Sequence, residues 1–578
     1  MAKSKSKAAK RASQTAKTRA ATKTATVADA PSAPITPPLA ENAPIQSLGT
    51  VAASSVATDG EVSGSVAKVA QTGTTLSSGV LAAPSPAPGN TGDAHGAQKG
   101  AAGGGGSAPA ATSQQRKLTV HRGGVPSDNL FTRAVAAHRA GRLDEAITLY
   151  GAILRTRPDQ PDILNNLGVA LRRSKQFDAA MVAYRRSAAL RPENAGLWSN
   201  MGNCLREMMR FDEARSAHEQ SLRRDANDKS HLFNAGLVYR DLNRFAEAID
   251  YFNRALAIDP NYTEALWDRS LAYLALGQYE AGWKAYEVRR RLADNPIRPL
   301  PGVPEWDGKG DLRGKTLLLR AEQGFGDMIQ FARFIPLVAK KAAHVIVECR
   351  KEMLGIMQTV PGVGQVVEKG VTPPKFDLHA PLLSLPYLLD IGARDLFSAS
   401  ASPYISAPRK MTLAGIPGDI ALKVGIIWAG KLNPRDRSCP LEKFMGLMGM
   451  PGAAFFSFQI DDRRADIANL GASAFIHDLG DRIGDFGDSA ALMSEMDLII
   501  TIDSAPAHLA GALGLPVWML QLFTTDWRWM VDRTDSPWYP TMRIYRQQQP
   551  NNWDAPFAAL QQDFETLLTA RKSAVKNS

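Results

Sequence analysis

The sequence predicts an α-helical repeat superhelix followed by an α/β region of two half-domains on parallel sheets, behind a disordered N-terminal tail. Three observations carry that expectation. Residue types recur every 34 positions between about 126 and 294. Beyond them, apolar runs alternate with helix-like stretches in βαβ order. Before them, through Val120, there is no Phe, Trp or Tyr.

The first 120 residues are mainly Ala, Ser, Thr, Pro and Gly, with a Gly103–Gly106 run near the end. Such a stretch cannot bury enough apolar surface to offset the entropy of ordering, so it is expected to be disordered. Lys3, Lys5, Lys7, Lys10, Arg11, Lys17, Arg19 and Lys23 precede the first acid, Asp29, and account for most of the formal net charge of +11. The remaining chain is nearly neutral, which gives no support for a body that binds nucleic acid in a sequence-specific way. The basic start reads either as a solvated extension or as a loose hold on an anionic surface. It lacks the apolar core of a secretory signal, and no run approaches the roughly 18–20 apolar residues of a membrane span. Three scattered cysteines, Cys204, Cys349 and Cys439, form no disulfide framework or zinc spacing. A reducing, cytoplasmic setting is expected.

In the array, small residues stand at Ala146, Ala180, Ala214, Ala248 and Gly282, and four residues after each come Tyr150, Tyr184, His218, Phe252 and Tyr286. Gly168, Gly202 and Gly236 precede the middle three by twelve residues, and Pro158, Pro192 and Pro260 end units. This register resembles the tetratricopeptide repeat (TPR), two antiparallel helices per unit with small residues where they touch. The resemblance implies about five repeats over 126–294 and a concave face that binds a protein partner. Asn165, Asn166, Asn200, Asn203 and Asn234 recur on first helices, where they fit either a backbone clamp or a solvated polar face. The atypical last unit, with Ser270 and Gly282, suits a cap packed on a neighbour.

A linker over 295–314 leads to the first half-domain, 315–410. Its strands are expected at Thr316–Leu319, Val345–Glu348, Gly364–Val367 and Asp377–Leu383, with a helix over Asp327–Lys341. In RAEQGFGDMIQF, Gly324 and Gly326 permit a tight turn at the carboxyl edge of the sheet. Asp327 there is either a functional carboxylate or a first-turn helix residue. The second half-domain, 423–568, opens with VGIIWAG. The loop WAGKLNPRDRSCP places Gly430, Lys431, Arg435, Arg437 and Ser438 at the sheet edge, where cations attract phosphate. The segment DLIITIDSAPAHLAGALGLPVWMLQ then reads as strand, polar turn, helix and strand. Asp503 and Ser504 make the turn, and His508 lies one turn into the helix. Unpaired N–H groups at that helix start favour an anion. Ser504 reads equally as a helix cap and His508 as a packed ring. Neither half carries G-x-G-x-x-G after its first strand or a Walker sequence, which argues against NAD, FAD and P-loop chemistry.

RAEQGFGD, VGIIWAGK and DSAPAHLAGALG are similar in order and position to the heptosyltransferase-like GT-B glycosyltransferases. Repeats followed by this pair resemble the bacterial TPR-fused glycosyltransferases, some of which modify flagellin. The resemblance covers about Phe131 to Leu568. It implies an α/β GT-B region with an acceptor-side first half and a nucleotide-sugar-side second half. Asp327 would be the general base, Lys431 would neutralise donor phosphate, and Asp503, Ser504 and His508 would hold the diphosphate. Arg437 and Ser438 join that donor set, with Gly324, Gly326 and Gly430 as loop glycines. Many relatives have Gly where this chain has Ala505.

Glycosyl transfer needs a base on the acceptor hydroxyl and charge relief at the leaving group. No Asp-x-Asp triplet offers a metal bridge, so an inverting, metal-independent enzyme without a cofactor is expected, its nucleotide-sugar being a substrate. The competing readings are a catalytically inactive TPR adaptor and an envelope-polysaccharide glycosyltransferase.

Overall fold

The computed structural model describes residues 127–292, 297, 300–393, 396, 403–431 and 436–577. The tail expected to be disordered, Arg435 and part of the Pro-rich linker lie outside the described residues.

Ten helices form five hairpins: α1 (Ser127–Arg139) with α2 (Leu143–Thr156), α3 (Pro161–Arg173) with α4 (Phe177–Leu190), α5 (Ala195–Glu207) with α6 (Phe211–Arg224), α7 (Lys229–Asp241) with α8 (Phe245–Ile258), and α9 (Thr263–Ala275) with α10 (Tyr279–Tyr286). The 34-residue signature has a steric cause. A Cβ on Gly168, Gly202 or Gly236 would lie 2.4, 2.4 and 2.5 Å from the rings of Tyr184, His218 and Phe252. Only glycine lets the paired helices approach over those rings. The turn inside each hairpin is left-handed at Gly141, Lys175, Met209, Asn243 and Gly277, with φ of 76, 63, 58, 62 and 71°.

Successive first helices are tied by polar pairs. Arg206 meets Asp241 at 2.9 Å. Arg172 pairs with Glu207 and Arg240 with Asp268 in the same manner. Asn200 Nδ2 donates to Asn165 Oδ1 (3.2 Å) and Asn234 Nδ2 to Ser199 Oγ (3.0 Å). These asparagines therefore stitch neighbouring repeats.

The first sheet contains β1 (Thr316–Arg320), β2 (His344–Cys349), β3 (Gln365–Glu368) and β4 (Leu378–Pro381) in the order β3-β2-β1-β4. The second contains β5 (Leu422–Ile427), β6 (Ala453–Ser457), β7 (Ile476–Asp478), β8 (Leu498–Ile502), β9 (Val517–Gln521) and β10 (Met542–Arg546), ordered β10-β9-β8-β5-β6-β7. All neighbours within both sheets are parallel. Strand order reverses between β1 and β4 and between β5 and β8, which are the topological switch points where open α/β sheets bind ligands.

One helix differs from expectation. The stretch foreseen as Asp327–Lys341 starts earlier, as α11 (Phe325–Ala332), and resumes as a separate piece, Ile335–Ala339. Pro336 has no N–H for the Ala332 carbonyl, so the helix breaks between the two.

One apolar core runs from the last repeats into both sheets. Trp267, Tyr279, Trp283 and Tyr286 belong to the same buried cluster as Leu317, Phe331, Ile499, Trp527 and Trp538. The opposite face of the second sheet is closed by Phe557, Leu560, Phe564 and Leu568 of the final helix, Asp554–Asn577. All three cysteines are buried and free. Among the described residues no helix is long and apolar enough to cross a membrane.

Candidate functional site

The loops after β5 and β8 flank the switch point of the second sheet and hold Gly430, Lys431, Arg437, Ser438, Asp503 and Ser504, while His508 lies in the helix that follows β8. Trp428 is buried and anchors the first loop through Nε1 to Asp466 Oδ2 (3.0 Å). Gln459, after β6, grips Ala429 through both its N–H and its carbonyl (3.1 Å each). The Gly430 N–H donates to Ser438 Oγ (3.2 Å), so Ser438 ties the two ends of the loop together. Lys431 is exposed at its rim. Arg437 donates to buried Asp503 at 3.2 Å. The Asp503 charge, the largest influence on Arg437, holds that guanidinium above its ordinary pKa.

Ser504 precedes the helix Ala505–Ala512 in extended conformation and makes no side-chain cap. Its hydroxyl turns back to the Ile502 carbonyl (3.2 Å). The serine side chain therefore leaves the helix start uncapped, but Pro506 in the first turn has no N–H and the Ala507 N–H already donates to the Ser504 carbonyl (3.0 Å), so fewer donors face outward there than the sequence suggests. His508 is buried, stacks on Trp529 with ring centroids 5.0 Å apart, and places Nδ1 2.8 Å from the Tyr539 hydroxyl. Desolvation, reinforced by the Arg528 charge, pushes its pKa well below 6.5, so the ring is neutral at pH 7. It can offer a neutral hydrogen bond and no positive charge.

The first sheet brings Asp327 to the same place. Asp327 is the third residue of α11; its Oδ2 accepts the Gly324 N–H (2.9 Å) and its Oδ1 is ion-paired with Arg528 Nη2. Arg528 reaches across from the segment after β9, also donating to Asp526 Oδ1 (2.8 Å) and Gln330 Oε1 (2.6 Å), with its guanidinium 4.4 Å from the Trp527 ring. Gly326 faces His508, where a Cβ would come within 2.8 Å of the ring. Thus the helix starts carrying the GD turn and the D-S-x-x-x-H turn meet directly. Gly324 stands at the N-cap of α11.

At the first sheet's own switch point the crevice is filled by the chain itself. Arg289, just beyond α10, donates to Glu322 after β1 (2.6 Å) and to Ser384 after β4 (2.8 Å).

Sequence reading missed Arg528, Arg289 and Arg546. Arg546 ends β10, donates to Thr525 Oγ1 (2.6 Å) and the Trp529 carbonyl (3.1 Å), and has no carboxylate at ion-pair distance among the described residues. Burial lowers its pKa to about 10. The available signal was the run DWRWM, an arginine between two tryptophans following a strand at the sheet edge. Among the described residues, the only group of three or more His, Cys, Asp or Glu ligand atoms within 4.8 Å of one another is Asp225, Asp228 and His231, in the array and not at this site. There Asp228 caps α7 by accepting from the Ser230 and His231 N–H groups.

The tetratricopeptide repeat family matches residues 131–195 and 193–261. Protein FlbA of Caulobacter vibrioides is 31% identical over 316 residues, covering 49% of this chain and 51% of that protein. The chain thus spans about half the length of that relative. Solved structures similar to part of the chain include the MamA protein (19% identity, TM-score 0.27, 30% of this chain and 98% of that one). PilF of Pseudomonas aeruginosa follows at 20% identity and TM-score 0.26, over 28% of this chain and 75% of that one. A thermophilic TPR protein of Thermus thermophilus has 20% identity and TM-score 0.27, over 29% and 91%.

Proposed function

We propose that the protein is a glycosyltransferase, moving a sugar from a nucleotide-sugar donor to a hydroxyl of a protein acceptor held by the repeat array. The observation that carries this reading is the meeting of the two helix starts. In this reading the carboxylate of Asp327 works opposite an anion-favouring edge whose charge comes from Lys431, Arg437 and the start of the Ala505–Ala512 helix, with Gly430 and Ser504 shaping the loops through their own hydrogen bonds. In an inverting displacement the acceptor oxygen attacks the anomeric carbon and gives its proton to the Asp327 carboxylate. The bond to the diphosphate breaks with its electron pair going to the departing oxygen, where Lys431, Arg437 and the positive end of the Ala505–Ala512 helix offset the growing charge. Each carboxylate oxygen has two acceptor sites, so Asp327 keeps capacity for that proton while bonded to Gly324 and Arg528.

The test is label transfer from a panel of nucleotide-sugars by the full chain, with Asp327→Asn alongside. Loss of the base is expected to slow transfer by about 100- to 10,000-fold while nucleotide affinity stays within a few-fold. A variant that retains turnover returns Asp327 to helix capping.

One observation favours a second reading, a repeat scaffold whose α/β region binds without turnover. Both Asp327 oxygens are engaged by the protein, one by a buried arginine. Nucleotide binding without transfer or hydrolysis from any donor would select that reading.

A further inference from the structure

Residues 522–532, which bear Arg528 and Trp529, are held by three successive repeats. Phe211, at the start of α6, stacks on Phe523 with centroids 5.9 Å apart. In the fourth repeat, Asn243 Nδ2 donates to the Phe523 carbonyl (2.7 Å) and Asn243 Oδ1 accepts the Thr525 N–H (2.9 Å). Thr524 Oγ1 donates to the Asp241 carbonyl (2.8 Å). In the fifth, a Cβ on Gly277 would lie 3.2 Å from Met530 Cε. Tyr279 and Trp283 pack on the aromatic cluster of Trp527 and Trp538.

The held segment is conformationally costly. Met530 has φ 49° and ψ −172°, a combination favourable only to glycine, and Asp532 has φ 55°. Non-glycine residues persist there only when surrounding contacts over-determine them. On the other side of the site, Gln323 (φ 61°) is held through its side chain by the Tyr286 hydroxyl at 3.2 Å. The array therefore braces both loops that bring Asp327, Arg528 and His508 together.

Asn243 has a plain alternative role, since asparagine tolerates the left-handed turn it occupies. The equivalent turns are made by Lys175 and Met209, so the conformation does not require asparagine. What distinguishes position 243 is the two-point grip of its amide on one backbone loop.

We propose that Asn243 is a positioning residue for the facing helix starts, acting through residues 523–529, so that the repeat array and the candidate site are coupled. This rests on the reading of those helix starts as the functional site. The path is physical: amide to loop backbone, loop to Arg528 and Trp529, and these to Asp327 and His508. Any ligand that stiffens or shifts the fourth repeat then changes the closure of the site, and a ligand at the site acts back on the repeat to the same degree.

Hydrogen exchange on the full chain tests this without a known substrate. In Asn243→Gly, which suits the left-handed turn and removes the side chain with its amide, exchange over 522–532 is expected to rise about tenfold, the scale of a lost hydrogen bond. A rise is also expected in Phe325–Ala332 and Ala505–Ala512, with β5 and β8 unchanged. Acceleration confined to 241–245 and 522–532 overturns the coupling. So does wild-type exchange in Asn243→Gly accompanied by faster exchange in Asn243→Ala, because the effect would then belong to the turn. Calorimetric titration of the wild type with inorganic pyrophosphate reads the phosphate-site assignment separately. Absence of heat would sink that assignment, while the exchange pattern would still decide the coupling.

Discussion

Replacing Gly326 by alanine probes the meeting of the two half-domains with one methyl group. That methyl would sit 2.8 Å from His508 Cδ2, 3.4 Å from Nε2 and 3.6 Å from the Ala505 Cα. The imidazole has no easy retreat. Trp529 stacks on it at 5.0 Å, and Nδ1 is held at 2.8 Å by the Tyr539 hydroxyl. Relief must come from parting the helix starts or giving up the Tyr539 bond. Overpacking of this kind costs about 1–3 kcal/mol, which corresponds to roughly five- to hundredfold more frequent local opening. Gly324→Ala is the matched control. Its methyl would meet only Asp327 Oδ2, at 3.0 Å, and its φ of −82° suits any residue, so a loss below about 1 kcal/mol is expected. Hydrogen exchange of Phe325–Ala332 and Ala505–Ala512 is the assay. Wild-type protection of both helices in Gly326→Ala would refute the close contact and, with it, the argument that Asp327 and His508 share one site.

Burial lowers the pKa of His218 to about 3, with Arg206 adding to the effect, and neither ring nitrogen has a hydrogen-bond partner among the described residues. The unfolded chain therefore takes up the proton first as pH falls. The His218 contribution to stability is expected to be intact above about 6.5 and to decline toward pH 3 by up to about 1.4 kcal/mol per unit. His218→Phe, which copies Phe252 of the next repeat, is expected to reduce this slope by the His218 share, leaving that of His138, whose pKa burial lowers to about 4, and to raise the urea midpoint at pH 7; unchanged slopes would contradict it. Lys431→Ala and Arg437→Ala are each expected to weaken pyrophosphate binding about tenfold or more, the range of a charged hydrogen bond, and equal calorimetric affinities would remove both from the site. A fragment beginning at residue 305 leaves Phe331, Trp527 and Trp538 without Trp283 and Tyr286. It should melt without a cooperative transition, whereas a fragment beginning at Thr263 should regain one. Cooperative melting of the shorter fragment would refute the shared core.

The array was legible because its determinants are local and repeat. Gly168 answers Tyr184, Gly202 answers His218 and Gly236 answers Phe252, each sixteen residues on, so the contact that makes the hairpin leaves its mark at fixed spacing. The strand and turn order of the α/β region was legible for a similar reason. Buried parallel strands are continuous apolar runs, and glycines and small polar residues mark the turns between them. By themselves these patterns placed Asp327, Lys431, Asp503, Ser504 and His508 at strand-to-helix turns on sheet edges. They left open whether Ser504 caps its helix and whether Asp327 stands free. Those points depend on partners far away in the chain. Arg528 reaches Asp327 over 201 residues and Asn243 grips Phe523 over 280. Arg289 enters the first sheet's crevice from the end of the array, beyond what any repeat register predicts. Sequence alone determined the elements and the edges on which polar residues stand, because short-range sterics and periodic burial act within tens of residues. Tertiary structure alone decided which charges meet and which half braces which loop, because that follows from packing rigid layers into one core.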